Sequence, residues 1–168
     1  MRIYDGSPRQ DFEEVLRSIG AFLDQRGMRD VLLVEAPDGF IVQGLVVEGG
    51  GQGSWSETVG KQVKETLTFL DEDIARFMDE AHARRGAESA ASPDSTKAGY
   101  YEQSFRVLGR WIDGQRPHDI FYFEQGGAYV VRLHLVGPAG AHHSLAEFTK
   151  EDIEAMIAEG PRQRHPSG

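Results

Sequence analysis

Apolar side chains fall at helical spacing at Phe12, Val15, Leu16, Ile19, Phe22 and Leu23, which predicts a helix from Pro8 to about Arg26. Ser7, Pro8 and Gln10 supply a capping box at its start, and Gly27 a stop at its end. The spacing then changes. Val31-Leu32-Leu33-Val34 is an unbroken apolar run, the mark of a strand buried on both faces. Ala36-Pro37-Asp38-Gly39 turns the chain, and Phe40 to Val47 returns it. Lys61 to Phe69 alternates, with Val63, Glu65, Leu67 and Phe69 on one side, and reads as a third strand with one wet face. Asp71 to about Arg84 is a helix with an acidic first turn and a basic end, matching the helix dipole.

The pattern then recurs. Tyr101, Phe105, Leu108, Trp111 and Ile112 mark a helix over Tyr100–Asp113, and Pro117 prevents its continuation. Ile120-Phe121-Tyr122-Phe123 is a second apolar run. Gln125-Gly126-Gly127 turns the chain, and Ala128 to Val136 returns it with Tyr129, Val131, Leu133 and Leu135 on one face. Pro138 to Ser144 reads as a loop. Thr149 and Asp152 form a capping box for a last helix, with Phe148 and Ile153 as its hydrophobic staple and Gly160-Pro161 as its end.

Placed over Tyr100–Glu124, the stretch Asp11–Glu35 shows six identities in 25 positions: Glu13/Glu102, Arg17/Arg106, Gly20/Gly109, Asp24/Asp113, Asp30/Asp119 and Glu35/Glu124. One residue skipped near Pro37 then aligns Gly39/Gly127, Val42/Val130, Leu45/Leu133 and Gly49/Gly137, and a third block sets Phe69–Glu80 over Phe148–Glu159. Self-similarity in conserved order indicates a repeated unit. The expected fold is α+β, a tandem duplication of a helix–strand–strand–(strand)–helix unit related by a pseudo-twofold, with a mainly antiparallel sheet packed by helices. Residues 1–85 form the first repeat, 86–99 a linker, 100–160 the second repeat and 161–168 a disordered tail. The runs at Val31 and Ile120 belong at the centre of the sheet. A sheet face left uncovered predicts a homodimer.

Composition narrows the functions. The 168 residues carry a net charge of −9 and contain no cysteine. Without a basic stripe, binding to nucleic acid or to an anionic membrane is disfavoured. The missing cysteines remove disulfides, thiolate nucleophiles and Cys-based metal sites. No stretch of 18 apolar residues occurs and the start lacks a signal-like run, so the expected location is the cytoplasm.

No acidic pair or serine elbow points to catalysis, and no cofactor is implied. The repeated acids lie five apart on their strands and so on opposite faces, which suits structural duty in turns or pairing with Arg17 and Arg106 better than acid–base chemistry. The glycine-rich stretch Gly49–Gly53 lacks the Gly-Lys-Ser/Thr of a phosphate loop. In the longer loop from Glu48 to Gly60 that contains it, Trp55 is a candidate anchor for a protein partner. Arg17 and Arg106 are candidate anion ligands where the repeats meet. His134, His142 and His143 are candidate metal ligands, against a solvated loop as the plainer reading. The function expected is non-enzymatic protein binding or scaffolding, through the sheet face or the Trp55 loop. The alternative is a small-ligand or anion binder, or an enzyme, with its site between the repeats.

Overall fold

The computed structural model describes residues 12–47, 62–91 and 99–159. Four helices and six strands follow in the order α1 (Phe12–Arg26), β1 (Arg29–Ala36), β2 (Gly39–Val47), β3 (Gln62–Leu70), α2 (Asp71–Ala91), α3 (Tyr100–Gln115), β4 (Asp119–Gln125), β5 (Ala128–Gly137), β6 (Gly140–Thr149) and α4 (Lys150–Glu159). The chain is α+β. Its strands make one antiparallel sheet in the order β3-β2-β1-β4-β5-β6. No described helix is long and apolar enough to cross a membrane.

The ends of the elements follow local chemistry. Gly27, at φ 71°, closes α1: its N–H donates to Asp24 O at 3.2 Å and the Met28 N–H to Leu23 O at 3.1 Å, the paired bonds of a left-handed helix stop. Arg116 takes the same conformation after α3, just before Pro117. At α4 the expected capping box is complete, with Asp152 N donating to Thr149 Oγ1 at 3.1 Å and Thr149 N to Asp152 Oδ2 at 2.9 Å. Gly126 and Gly127, at φ 57° and 82°, make the two-residue turn that a tight right-twisted hairpin requires.

The two apolar runs lie side by side at the centre. Leu33 faces Tyr122, flanked by Leu32–Phe123 and Val34–Phe121. Behind them α1 and α3 cross at Gly20 and Gly109. A Cβ on Gly20 would stand 2.3 Å from the Tyr101 carbonyl oxygen, and one on Gly109 2.5 Å from that of Phe12. Only glycine allows so close an approach. Each helix also caps the other. Phe12 N and Glu13 N donate to the Asp113 carboxylate at 2.7 and 3.0 Å, and Tyr101 N and Glu102 N to that of Asp24, both at 2.9 Å.

One hydrophobic core fills the space between the helices and one face of the sheet. Phe12, Ile19, Leu33, Phe40, Phe105, Ile112, Leu133 and Ile153 are among its members. Ile74 brings in α2, where Phe22 and Phe77 stack and Phe69 meets both edge-on, with ring centres 5.1–5.3 Å apart. All four helices therefore cover the same face.

Three expectations change. Gly140–Thr149 is a strand throughout, not a loop over 138–144, because Pro138-Ala139 makes a two-residue hairpin back onto β5. The helix α2 continues to Ala91 and takes up the start of the expected linker. The skipped residue near Pro37 disappears: Ala36 pairs with Gly39 and Gln125 with Ala128, so Phe40 corresponds to Tyr129 and Val42 to Val131. With the skip, inward-facing Val42 would be matched to Val130, which points to the other face; a one-residue slip inverts every side chain on a strand. The Ser7–Gln10 cap, the glycine-rich stretch and the tail lie outside the described residues.

Candidate functional site: the open sheet face and its histidine row

The register sets two full rows of side chains across the face that bears no helix. One runs Thr66, Gln43, Leu32, Phe123, Val130, Glu147, and the next Thr68, Ile41, Val34, Phe121, Arg132, Leu145. Both are apolar in the middle; the first is polar at both edges, and the second runs from Thr68 to Arg132 and ends on apolar Leu145. Phe121 and Phe123 touch with ring centres 5.7 Å apart, and the Arg132 guanidinium lies 4.9 Å over the Phe121 ring. Leu145 is 67% exposed and Val136, nearby on the same face, 62%. Among the described residues nothing covers this surface.

Where β1 and β4 diverge, the face sinks into a groove of about 480 Å³. Leu32, Leu45, Phe121 and Phe123 line it, with Asp30, Lys64 and Gln125 at its rim. Asp30 sits at φ 51°, beside an irregularity in the β1–β2 pairing between Arg29 and Leu32.

Carboxylates close both ends of the short β1–β4 ladder. Val31 N donates to Glu124 Oε2 at 2.7 Å, and Ile120 N to Glu35 Oε1 at 3.2 Å. Glu124 accepts two further bonds, from Tyr101 Oη at 3.0 Å and Tyr122 Oη at 2.9 Å. Burial raises the pKa of Glu35 to about 7, with the Asp119 charge adding to it. Burial also raises Glu124, against the hydrogen bonds that it accepts. The Tyr101 and Tyr122 hydroxyls are held protonated, first by burial and then by the Glu124 charge. Both acids stand where the diverging strands leave ladder hydrogen bonds unmade, a structural duty at the strand ends.

At the far end of the face, a third row reads Asp119, His134, His143 across β4, β5 and β6. His118 joins it from the residue before β4, its N–H donating to His134 O at 2.7 Å. Asp119 Oδ2 lies 2.9 Å from His118 Nδ1 and 3.1 Å from His134 Nδ1. The His134 ring is 5.4 Å from that of His118 and 5.0 Å from that of His143. Burial alone would raise the pKa of Asp119, but the hydrogen bonds with the two imidazoles hold it below its usual value.

Of the candidate metal ligands, the fold joins His134 to His143 and separates His142, which pairs with Leu135 on the opposite face of the sheet. Sequence reasoning missed His118 and Asp119. The two-residue turns held the signal, since counting back from Gln125–Ala128 places Asp119 across from His134. Arg17 lies on the helix side, its Nε 3.3 Å from Glu102 Oε2; Glu102 also binds Arg84 at 3.1 Å. Arg106 is likewise engaged. The fold thus brings neither arginine to the open face. Trp55 lies outside the described residues.

Set against known protein families, curated proteins and solved structures, the chain matches none.

Proposed function

We propose that this chain is a non-enzymatic protein-binding module whose docking surface is the open sheet face, and that its first occupant is a second copy of the chain. The observation that carries this is the pair of helix-free rows with half-buried Leu32, Val34, Phe121 and Phe123 at their centre and exposed Leu145 at one end. Fully burying an exposed side chain of this kind contributes about 1.5–3 kcal/mol, and each half-buried one here retains a fraction of that for docking. A central patch of several favours association, and closed dimers are the commonest form that association takes. Stacking two copies about an axis along the strands lays β3 of one over β6 of the other. Lys64 of each copy then falls within one pleat of Glu147 in the other, while the apolar centres meet.

The same reading takes the two halves as copies of one ancestral unit related by a pseudo-twofold. Support comes from matched duties: Asp24 and Asp113 cap, Gly20 and Gly109 cross, Glu35 and Glu124 plug the junction.

Sedimentation of the purified chain tests the docking proposal. A dimer is expected, converted to monomer by Phe121→Glu and by Arg132→Glu, both on the exposed face, and unchanged by Lys150→Glu on α4. A wild-type chain that stays monomeric at every concentration would overturn it.

A second reading, a small apolar ligand in the junction groove, is favoured by that groove's volume, which lies in the ~300–1,000 Å³ range of ligand sites. A thermal-shift screen of small metabolites tests it: a ligand at 100 times its Kd adds about 2.7 kcal/mol of stability. No shift with any compound sinks it.

A further inference from the structure

We infer that His118, Asp119 and His134, with His143 beside them, form a binding site for a divalent transition-metal ion. One ligand atom from each of His118, Asp119 and His134 lies within 4.8 Å of the others. Around a tetrahedral ion with bonds of roughly 2.0–2.1 Å, neighbouring donors stand about 3.4 Å apart. The two separations to Asp119, 2.9 and 3.1 Å, are already near that figure, and small side-chain rotations bring in the rest.

The backbone prepares this geometry. Asp119, His134 and His143 are directly paired across three strands, where side chains on one face stand about 4.5–5.5 Å apart at Cβ. The bond from His118 N to His134 O extends the ladder by one residue and fixes where the His118 side chain starts. The row is anchored in a sheet, unlike histidines gathered on a loop, so little ordering is required when an ion arrives. His143, its ring 5.0 Å from that of His134, flanks this three-ligand cluster and would have to swing towards it to supply a fourth donor.

The donors select the class of ion. Two or three imidazoles and one carboxylate suit zinc, nickel, cobalt or copper, whereas magnesium and calcium favour all-oxygen shells. The carboxylate that now holds the imidazoles through hydrogen bonds would then share them with the ion. This inference is independent of the docking proposal, since the row lies at the end of the face and the monomer contains all its donors.

Calorimetric titration of the untagged chain with zinc is the test. One ion per chain is expected, and His118→Gln and His134→Gln should each weaken binding by at least about tenfold, the scale found even for groups that only orient ligands. His142→Gln and His82→Gln should leave the affinity unchanged, and magnesium should not bind. Imidazole NMR on the wild-type chain gives a readout that no variant's folding can confuse: the His118 and His134 resonances should move with zinc while those of His82 stay. Absence of zinc binding, equal losses in the His142→Gln control, or unmoved His118 and His134 resonances would overturn the inference.

Discussion

Glu35 shows what a single buried carboxyl does to the pH response of this molecule. Its pKa is raised to about 7 in the fold, against 4.5 for the exposed group. The folded chain therefore holds the proton where the unfolded chain has released it. Stability falls as pH rises between roughly 4.5 and 7, and the loss is complete above that window. Two and a half pH units correspond to at most about 3 kcal/mol. The bond from Ile120 N favours the charged form and opposes this loss. Glu124 and Asp24 are raised as well and act with the same sign; Asp119, lowered, acts against them. Glu35→Gln keeps an oxygen for Ile120 N and removes the ionisation. Its stability, measured by urea unfolding from pH 4.5 to 8, should fall less with pH than wild type, leaving the variant ahead by roughly 1–3 kcal/mol at pH 8. Parallel curves for the two proteins would refute this account of Glu35.

Among the elements, the crossing of α1 and α3 is the least tolerant of change. Replacing a helical glycine with alanine ordinarily stabilises by up to about 1 kcal/mol. At Gly20 and Gly109 the new methyl would meet a backbone carbonyl at 2.3 and 2.5 Å, and backbone cannot rotate aside. Overpacking costs about 1–3 kcal/mol or more and outweighs the propensity gain. Gly20→Ala and Gly109→Ala should each lower stability by roughly 2 kcal/mol in chemical denaturation. Gly114→Ala, in the same α3 with nothing within 4 Å, should be neutral or stabilising and separates steric cost from propensity. The helices and the first hairpin were readable from spacing, turn residues and caps, since those signals lie within a few residues of one another. The β6 strand was not. Its residues 140–149 alternate only weakly and contain few β-branched side chains, so the Pro138-Ala139 turn was the one local indication of a hairpin.

At the scale of the whole molecule, four helices on one face leave the other face of a six-stranded sheet without a helix among the described residues. A central strand such as Ile120–Phe123 is apolar at every position because both of its faces call for burial. The helices meet that demand for Ile120 and Tyr122, while Phe121 and Phe123 stay half-buried on the helix-free face. The junction between the halves has a different character. It is bound by reciprocal caps, crossing glycines and plugging carboxylates, so separation would expose apolar surface and unsatisfied amides together.

The order of residues by itself determined the four helices, five of the six strands and the central place of the two apolar runs. Periodicity, capping and turn chemistry act over a few residues and can be read along the chain. Which face stays bare, what the repeated residues do and which histidines meet were decided only by tertiary structure. The reason is distance along the chain: Phe12 finds its cap at Asp113, 101 residues away, and Asp119 finds His143 only through a strand that local signals scarcely mark.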